Sequence, residues 1–169
     1  PAFIAELKQH AMTGTMVAKK IPSCVCTPTK CVTMDEVRVI GERINPTGNK
    51  RMKQALLDHD LDEIAAIAME QIEAGAEVLD VNVGLSGIDE KQMMVEVIRH
   101  LQTLVDVPLQ IDSTDPAVIE AALRIYNGIA IVNSVNGEIS SMQQILPLIE
   151  RYGANVVGLT LDEQGIAND

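Results

Sequence analysis

The stretch VRVIGERINPTGNK, residues 37–50, decides how the rest of the chain is read. Val37, Val39 and Ile40 read as a short buried strand. Gly41, Glu42, Arg43 and Asn45 then turn the chain abruptly polar ahead of a Pro46-Thr47-Gly48 turn. An apolar strand followed at once by charged and amide side chains is how barrels and open α/β sheets present chemistry at the carboxyl edge of a parallel sheet. The pattern returns three times: 78–83 carries Asp80 and Asn82, 108–114 carries Asp112 and Ser113, and 129–134 ends on Asn133 and Ser134. A fifth strand is expected at 155–161.

Between these strands apolar residues recur at helical spacing. Leu61, Ile64, Ala65, Ala68 and Ile72 share one face, with Gly75 as a stop signal. Met93, Val97, Leu101 and Leu104 make a second face, and Met142, Ile145, Leu146 and Ile149 another, ended by Gly153. Val118, Ala122 and Tyr126 belong to a helix opened by Asp115 as N-cap and Pro116 at its first position, where the missing N–H has no partner to lose. Strands apolar on both faces alternating with amphipathic helices predict a parallel sheet covered by helices. Five such strands fit either an open doubly wound sheet or the front part of a (β/α)8 barrel. A complete barrel needs ~250 residues, and the chain has 169. GERINPTG is neither GxGxxG nor a Walker loop, which disfavours a nucleotide fold.

The bulk properties exclude several function classes. A net charge of −11 opposes binding to phosphate backbones, and Phe3, Tyr126 and Tyr152, the only aromatic residues, offer no stacking platform. No apolar run approaches the ~18 residues of a membrane span. Residues 1–12 carry Phe3, Ile4, Leu7 and Ala11 at helical spacing, while 13–33 loses all periodicity and reads as a connector. Its three cysteines, Cys24, Cys26 and Cys31, are odd in number, and one residue rather than two separates the first pair. This fits neither a disulfide framework nor a zinc site. The chain opens without a signal-peptide pattern, so the cytoplasm is the expected compartment.

Parallel strands place their carboxyl ends on one edge, so Glu42, Arg43, Asn45, Asp80, Asn82, Asp112, Ser113, Asn133 and Ser134 are expected to converge. No His, Cys or nucleophile elbow stands among them, leaving covalent and Ser-His-Asp catalysis without a basis. A buried Asp accepts from ring N–H and amino groups, and Asn offers an acceptor beside a donor, so the set suits a flat heterocycle with mixed edges. Each residue also has a structural use. Asp112 and Ser113 can cap the next helix, Asn133 can hold a loop, Glu42 and Arg43 can pair, and Asp80 can brace a backbone.

GERINPTG, GAEVLDVNVG, PLQIDST and AIVNS, in this order and spacing, resemble the pterin-binding methyltransferase family, relatives of dihydropteroate synthase, and within it the folate-binding barrel of cobalamin-dependent methionine synthases. The resemblance covers 37–169. It implies the front part of a (β/α)8 barrel that binds 5-methyltetrahydrofolate for methyl transfer to cob(I)alamin on another domain and on to homocysteine. Matched by position, Glu42, Asn45, Asn82, Asp112 and Asn133 would hold the pterin, with no catalytic residue assigned. Residues 1–12 resemble the segment after a zinc-binding homocysteine barrel. On that resemblance they end an upstream domain, 13–36 is a linker, and the zinc ligands lie upstream. Later family contacts fall beyond residue 169, so the chain alone is expected to be inactive. Alternatives are a corrinoid/iron–sulfur-protein methyltransferase, a non-catalytic folate-binding fragment, or a dihydropteroate synthase, whose NVTPDSF-like loop is INPTGNK here.

Overall fold

Capping chemistry sets the helix starts. Asn49 accepts the Met52 N–H and opens α1 (Lys50–Asp58), Asp60 accepts the Glu63 N–H and opens α2 (Leu61–Glu73), and Asp89 accepts the Gln92 N–H and opens α3 (Glu90–Leu104). Asp115, with Pro116 behind it, accepts the Ala117 N–H and opens α4 (Pro116–Ile125) as expected. A fifth helix, α5 (Ile139–Tyr152), stops at Gly153, whose φ of 65° is easily reached only without a Cβ. The computed structural model describes residues 23–166 and Ile4. The helix expected at 1–12, Ile4 apart, lies outside them.

Two short strands, β1 (Cys24–Cys26) and β2 (Cys31–Thr33), form an antiparallel hairpin. Five strands, β3 (Ile40–Ile44), β4 (Val78–Val81), β5 (Leu109–Asp112), β6 (Ile131–Val135) and β7 (Asn155–Gly158), follow in one parallel sheet. Beyond them β8 (Leu161–Asp162) pairs with β9 (Gly165–Ile166). The sheet order is β3-β4-β5-β6-β7, the order of the sequence, with no reversal. Right-handed crossovers in one unbroken direction put every helix on the same face. This is the progression of a barrel wall, whereas a doubly wound sheet reverses.

The two faces of the sheet bury different things. Leu79, Val81, Leu109, Ile111 and Val132 meet the helices in one large core with Met94, Ile98, Leu101 and Ile119. On the inner face Val78 and Ile131 pack against Val25 and Val32 of the hairpin. The hairpin is also hydrogen-bonded to the β6 side of the sheet, Cys26 exchanging backbone bonds with Ile129 at 3.0 Å. A stretch expected to be a connector is therefore, over Cys24–Thr33, a plug under the inner face. Its alternation of one buried valine per strand is too short to stand out, because the partners that bury it lie over forty residues away.

Some expected boundaries move. Val37 is 94% exposed and Val39 54%, so the first strand begins later, at Ile40, and runs through Gly41, Glu42 and Arg43. The described sheet has β3 as an edge, and an edge strand has a neighbour on one side only. Leu104 and Leu146 are likewise exposed at their helix surfaces, with Leu148 buried in place of the latter.

Candidate functional site

Register brings the polar strand ends together. Asp80 pairs in register with Gln110, and Asp112 with Asn133. Side chains alternate along a strand, so with Leu79, Val81, Leu109 and Ile111 turned to the helices, Asp80, Asn82, Gln110, Asp112 and Asn133 share the inner face. They stand in two layers above the hairpin plug. In the lower layer Asp80, 2% exposed, accepts from Gln110 Nε2 at 2.5 Å and from Asn133 Nδ2 at 3.4 Å. In the upper layer Asn82 Nδ2 donates to Asp112 Oδ2 at 2.9 Å, while Asn82 Oδ1 accepts the Gly84 N–H at 2.9 Å.

Glu42 joins this face by way of an irregularity in β3. Gly41 is in register with Leu79 and Ile44 with Val81, so an extra residue stands between two helix-facing positions. Gln71, buried on α2, fixes that irregularity: its Oε1 accepts the Arg43 N–H at 2.7 Å and its Nε2 donates to Ile67 O at 3.2 Å. A Cβ on Gly41 would lie 2.6 Å from Gln71 Oε1, so only glycine leaves room for the brace. Beyond the strand, Asn45 Oδ1 accepts the Thr47 N–H at 2.8 Å and Asn49 Nδ2 donates to Arg43 O at 2.9 Å. Gln71 and Asn49 were not anticipated. A lone glutamine on the apolar face Ile64-Ala65-Ile67-Ala68 was the available signal for the first.

Two of the candidate residues are engaged elsewhere. Ser113 Oγ donates to Glu90 Oε1 at 2.6 Å and accepts the Asp115 N–H at 3.1 Å, tying the end of β5 to the starts of α3 and α4. Ser134 lines a separate 320 Å³ hollow with Thr114, Asn136 and Glu138. The exposed Arg43 makes its described contacts through its backbone. A 380 Å³ hollow at the opposite end, between the hairpin tip and the approach to β5, is remote from all of these groups.

Burial pushes the Asp80 carboxyl up to about 6, and the nearby charges of Asp112 and Glu42 push in the same direction. The Gln110 and Asn133 hydrogen bonds oppose the shift without cancelling it. What remains free on the inner face is mostly acceptor. Among the described residues the Glu42 carboxylate, Asp112 Oδ1 and Asn133 Oδ1 have no partner, and beside β3 Asn45 Nδ2 and the Arg43 guanidinium are donors without one. No three His, Cys, Asp or Glu among them are grouped to hold a metal ion. Cys24, Cys26 and Cys31 are free thiols on the hairpin, and the contact with Cys31, with burial, raises the Cys24 thiol above its ordinary range.

A wall of consecutive parallel strands whose inner face carries Asp, Asn and Glu at the carboxyl ends is the architecture of the pterin-binding enzymes. The model of the family described as "Pterin binding enzyme" matches residues 41–168, and the chain belongs to that family. Over 136 residues it is 37% identical to methionine synthase of Mycobacterium tuberculosis and 35% identical to that of Mycobacterium leprae. Those alignments cover 78% of this chain and 11% of each relative, so the chain spans about a tenth of their length.

Among solved structures it is similar to 7,8-dihydropteroate synthase from Vibrio fischeri, with 18% identity, a TM-score of 0.56, and coverage of 80% of this chain and 48% of that one. The Yersinia pestis dihydropteroate synthase with a pterine-sulfa conjugate gives 20%, 0.58, 82% and 50%. These likenesses define the fold: the five strands are the front part of a pterin-binding (β/α)8 barrel.

Proposed function

We propose that the chain is the pterin-holding part of a methyltransferase that takes the methyl group of 5-methyltetrahydrofolate for transfer to cob(I)alamin and on to homocysteine, forming methionine. The observation that carries this is the set of unspent groups on the inner face. A reduced pterin presents amino and ring N–H donors along one edge beside a single ring carbonyl. Glu42, Asp112 Oδ1 and Asn133 Oδ1 suit the donors, and Asn45 Nδ2 suits the carbonyl. Asn82 Nδ2 holds Asp112 in place with one N–H and has a second to offer the ligand. The identity to methionine synthases supports this chemistry over pterin condensation, since the dihydropteroate synthases share the fold alone.

In such a transfer the methyl group leaves a tertiary amine, so the C–N electron pair stays on N5, which must gain a proton or a strong hydrogen bond as the bond breaks. The side chains here orient the pterin ring and keep its N–H groups paired. A corrinoid, when bound, supplies the nucleophile that accepts the methyl group. Among the described residues no three His, Cys, Asp or Glu are grouped to hold zinc, and zinc and the corrinoid are assigned to other domains of a longer cytoplasmic protein. Residues 1–12 are assigned to the end of an upstream homocysteine-binding domain, and the chain alone is expected to bind without turnover.

Calorimetric titration of 5-methyltetrahydrofolate into the 169-residue chain tests the site. Asp112→Asn and Asn133→Ala should each weaken binding at least about tenfold, the equivalent of one lost buried hydrogen bond at ~1.4 kcal/mol. Unchanged affinity in both variants would refute the assignment. Condensation of a pterin diphosphate with p-aminobenzoate by the chain would favour the synthase chemistry instead.

A further inference from the structure

Three carboxylates share the inner face, and among the described residues no cation is bonded to them; the exposed Arg43, next to Glu42 on β3, makes its described contacts through its backbone. Asp112 on β5 and Glu42 on β3 are the charged groups that act on Asp80. β6 offers only the neutral Asn133, β5 adds the neutral Gln110, and the hairpin below presents Val25 and Val32. Asp112 and Glu42 keep open contact with water, whereas Asp80 is covered to 2% exposure. Beside it Gln110 Oε1 is buried without any hydrogen-bond partner. A buried carbonyl left unpaired is unusual and calls for a donor. The orphaned oxygen, on the same amide whose Nε2 donates to Asp80, marks how closed to water the surroundings of that carboxyl are.

A flat ligand laid on this face removes the remaining water from above the layer. The N–H groups of the ligand compensate Asp112 and Glu42, which touch it, but not Asp80, which lies beneath Asn133. Three charges then face one another in a drier medium with two of them satisfied. The third is neutralised most readily where it is deepest.

We propose that Asp80 takes up a proton when a pterin covers the inner face, coupling binding to pH through a carboxyl group that does not touch the ligand. This rests on the pterin reading of the site. Asp80 is thus a positioning residue: once neutral, it lets the Asp112 and Glu42 charges be spent on the ligand alone. By linkage, affinity should rise as pH falls toward neutrality from above. The slope should approach tenfold per pH unit for one proton taken up.

The experiment is titration of 5-methyltetrahydrofolate into the 169-residue chain near neutral pH in two buffers of different ionisation enthalpy, which counts protons. The wild type should take up close to one proton per ligand bound. Asp80→Asn, which imitates the protonated state, should bind more tightly than the wild type above about pH 6, up to about tenfold near pH 7, and take up almost none. An equal proton count in the two proteins, as from protonation of the ligand itself, would overturn the inference while leaving the pterin site standing. Failure of the folded wild-type chain to bind would overturn both. A measurement that needs no variant is the 13C shift of the Asp80 carboxyl in the saturated wild type. It should move to the protonated value, and an ionised value in the complex would refute the proposal.

Discussion

Replacing Asp80 by Asn should make the protein more stable at neutral pH, and the gain should vanish in acid. Burial lifts this carboxyl from an ordinary 3.8 to about 6, a shift of roughly two units. At about 1.4 kcal/mol per unit this is about 3 kcal/mol, reduced to about 2 because the open side of the face admits water. The sign follows from proton linkage. A carboxyl that holds its proton more tightly folded than unfolded penalises folding nowhere below the unfolded value. The penalty accrues between 3.8 and about 6 and is complete above that.

Asp35, Asp106 and Glu120 have the opposite shift, held low chiefly by hydrogen bonds from Thr33, Thr27 and Arg124, so their stabilisation is lost in acid. They occur in both proteins and cancel in the difference. Urea unfolding of wild type and variant at about pH 4 and about pH 7.5 isolates Asp80: the variant's advantage should grow by about 2 kcal/mol between them. A constant difference, or one that shrinks toward neutral pH, would refute the buried-charge reasoning.

Three further outcomes are expected. Gly41→Ala should displace Gln71 from the Arg43 N–H, lowering stability by about 1–2 kcal/mol in urea melts and disturbing the approach of Glu42 to the inner face. Gly128→Ala should be more damaging, because its Cβ would lie 2.0 Å from the Cys26 carbonyl oxygen, backbone that cannot swing aside; a loss of several kcal/mol, about 3 or more, is expected, with faster amide exchange across β1. Tyr126→Phe removes a hydroxyl that accepts the Leu109 N–H at 3.2 Å and donates to Cys26 O at 3.1 Å. It should lower the unfolding free energy by about 1–3 kcal/mol in the same melts, with the far-ultraviolet signal of the fold unchanged.

The parallel sheet and four of its helices were legible because their signals are local. The spacing of Leu61 to Ile72 and the Asp115-Pro116 start appear in the structure as read. Helix α1 has a weak local signal: its buried residues are only Met52, Ala55 and Leu56, and it follows directly on the Pro46-Thr47-Gly48 turn. The hairpin was missed because the burial of Val25 and Val32 depends on distant partners. Barrel order was not readable at all, since β3-β4-β5-β6-β7 and a reversed order produce the same alternation of strand and helix.

In the site, the residue types at the strand ends could be listed but not their division of labour. Ser113 looks like Asp112 in the sequence, yet a shift of one residue sends it to the helix side, where Glu90 and Asp115 occupy it. Asp80 and Gln110 are ordinary letters inside apolar strands until register sets them side by side. Gln110 was absent from the expected set because nothing local distinguishes a strand glutamine that anchors a carboxylate from one that meets solvent.

The hairpin under the inner face also sets an order of events. Its bonds reach from Cys26 to Tyr126 and Ile129 and from Cys24 to Asn155, separations of 100 residues and more. Long-range closure of this kind is slow, because chain entropy is lost before the contacts form. During synthesis the hairpin emerges first among the described strands, yet its docking ground on β6 and β7 emerges only after β3, β4 and β5. Val78 on the inner face therefore stays without the full hairpin contact until Asn155 has followed, 131 residues after Cys24.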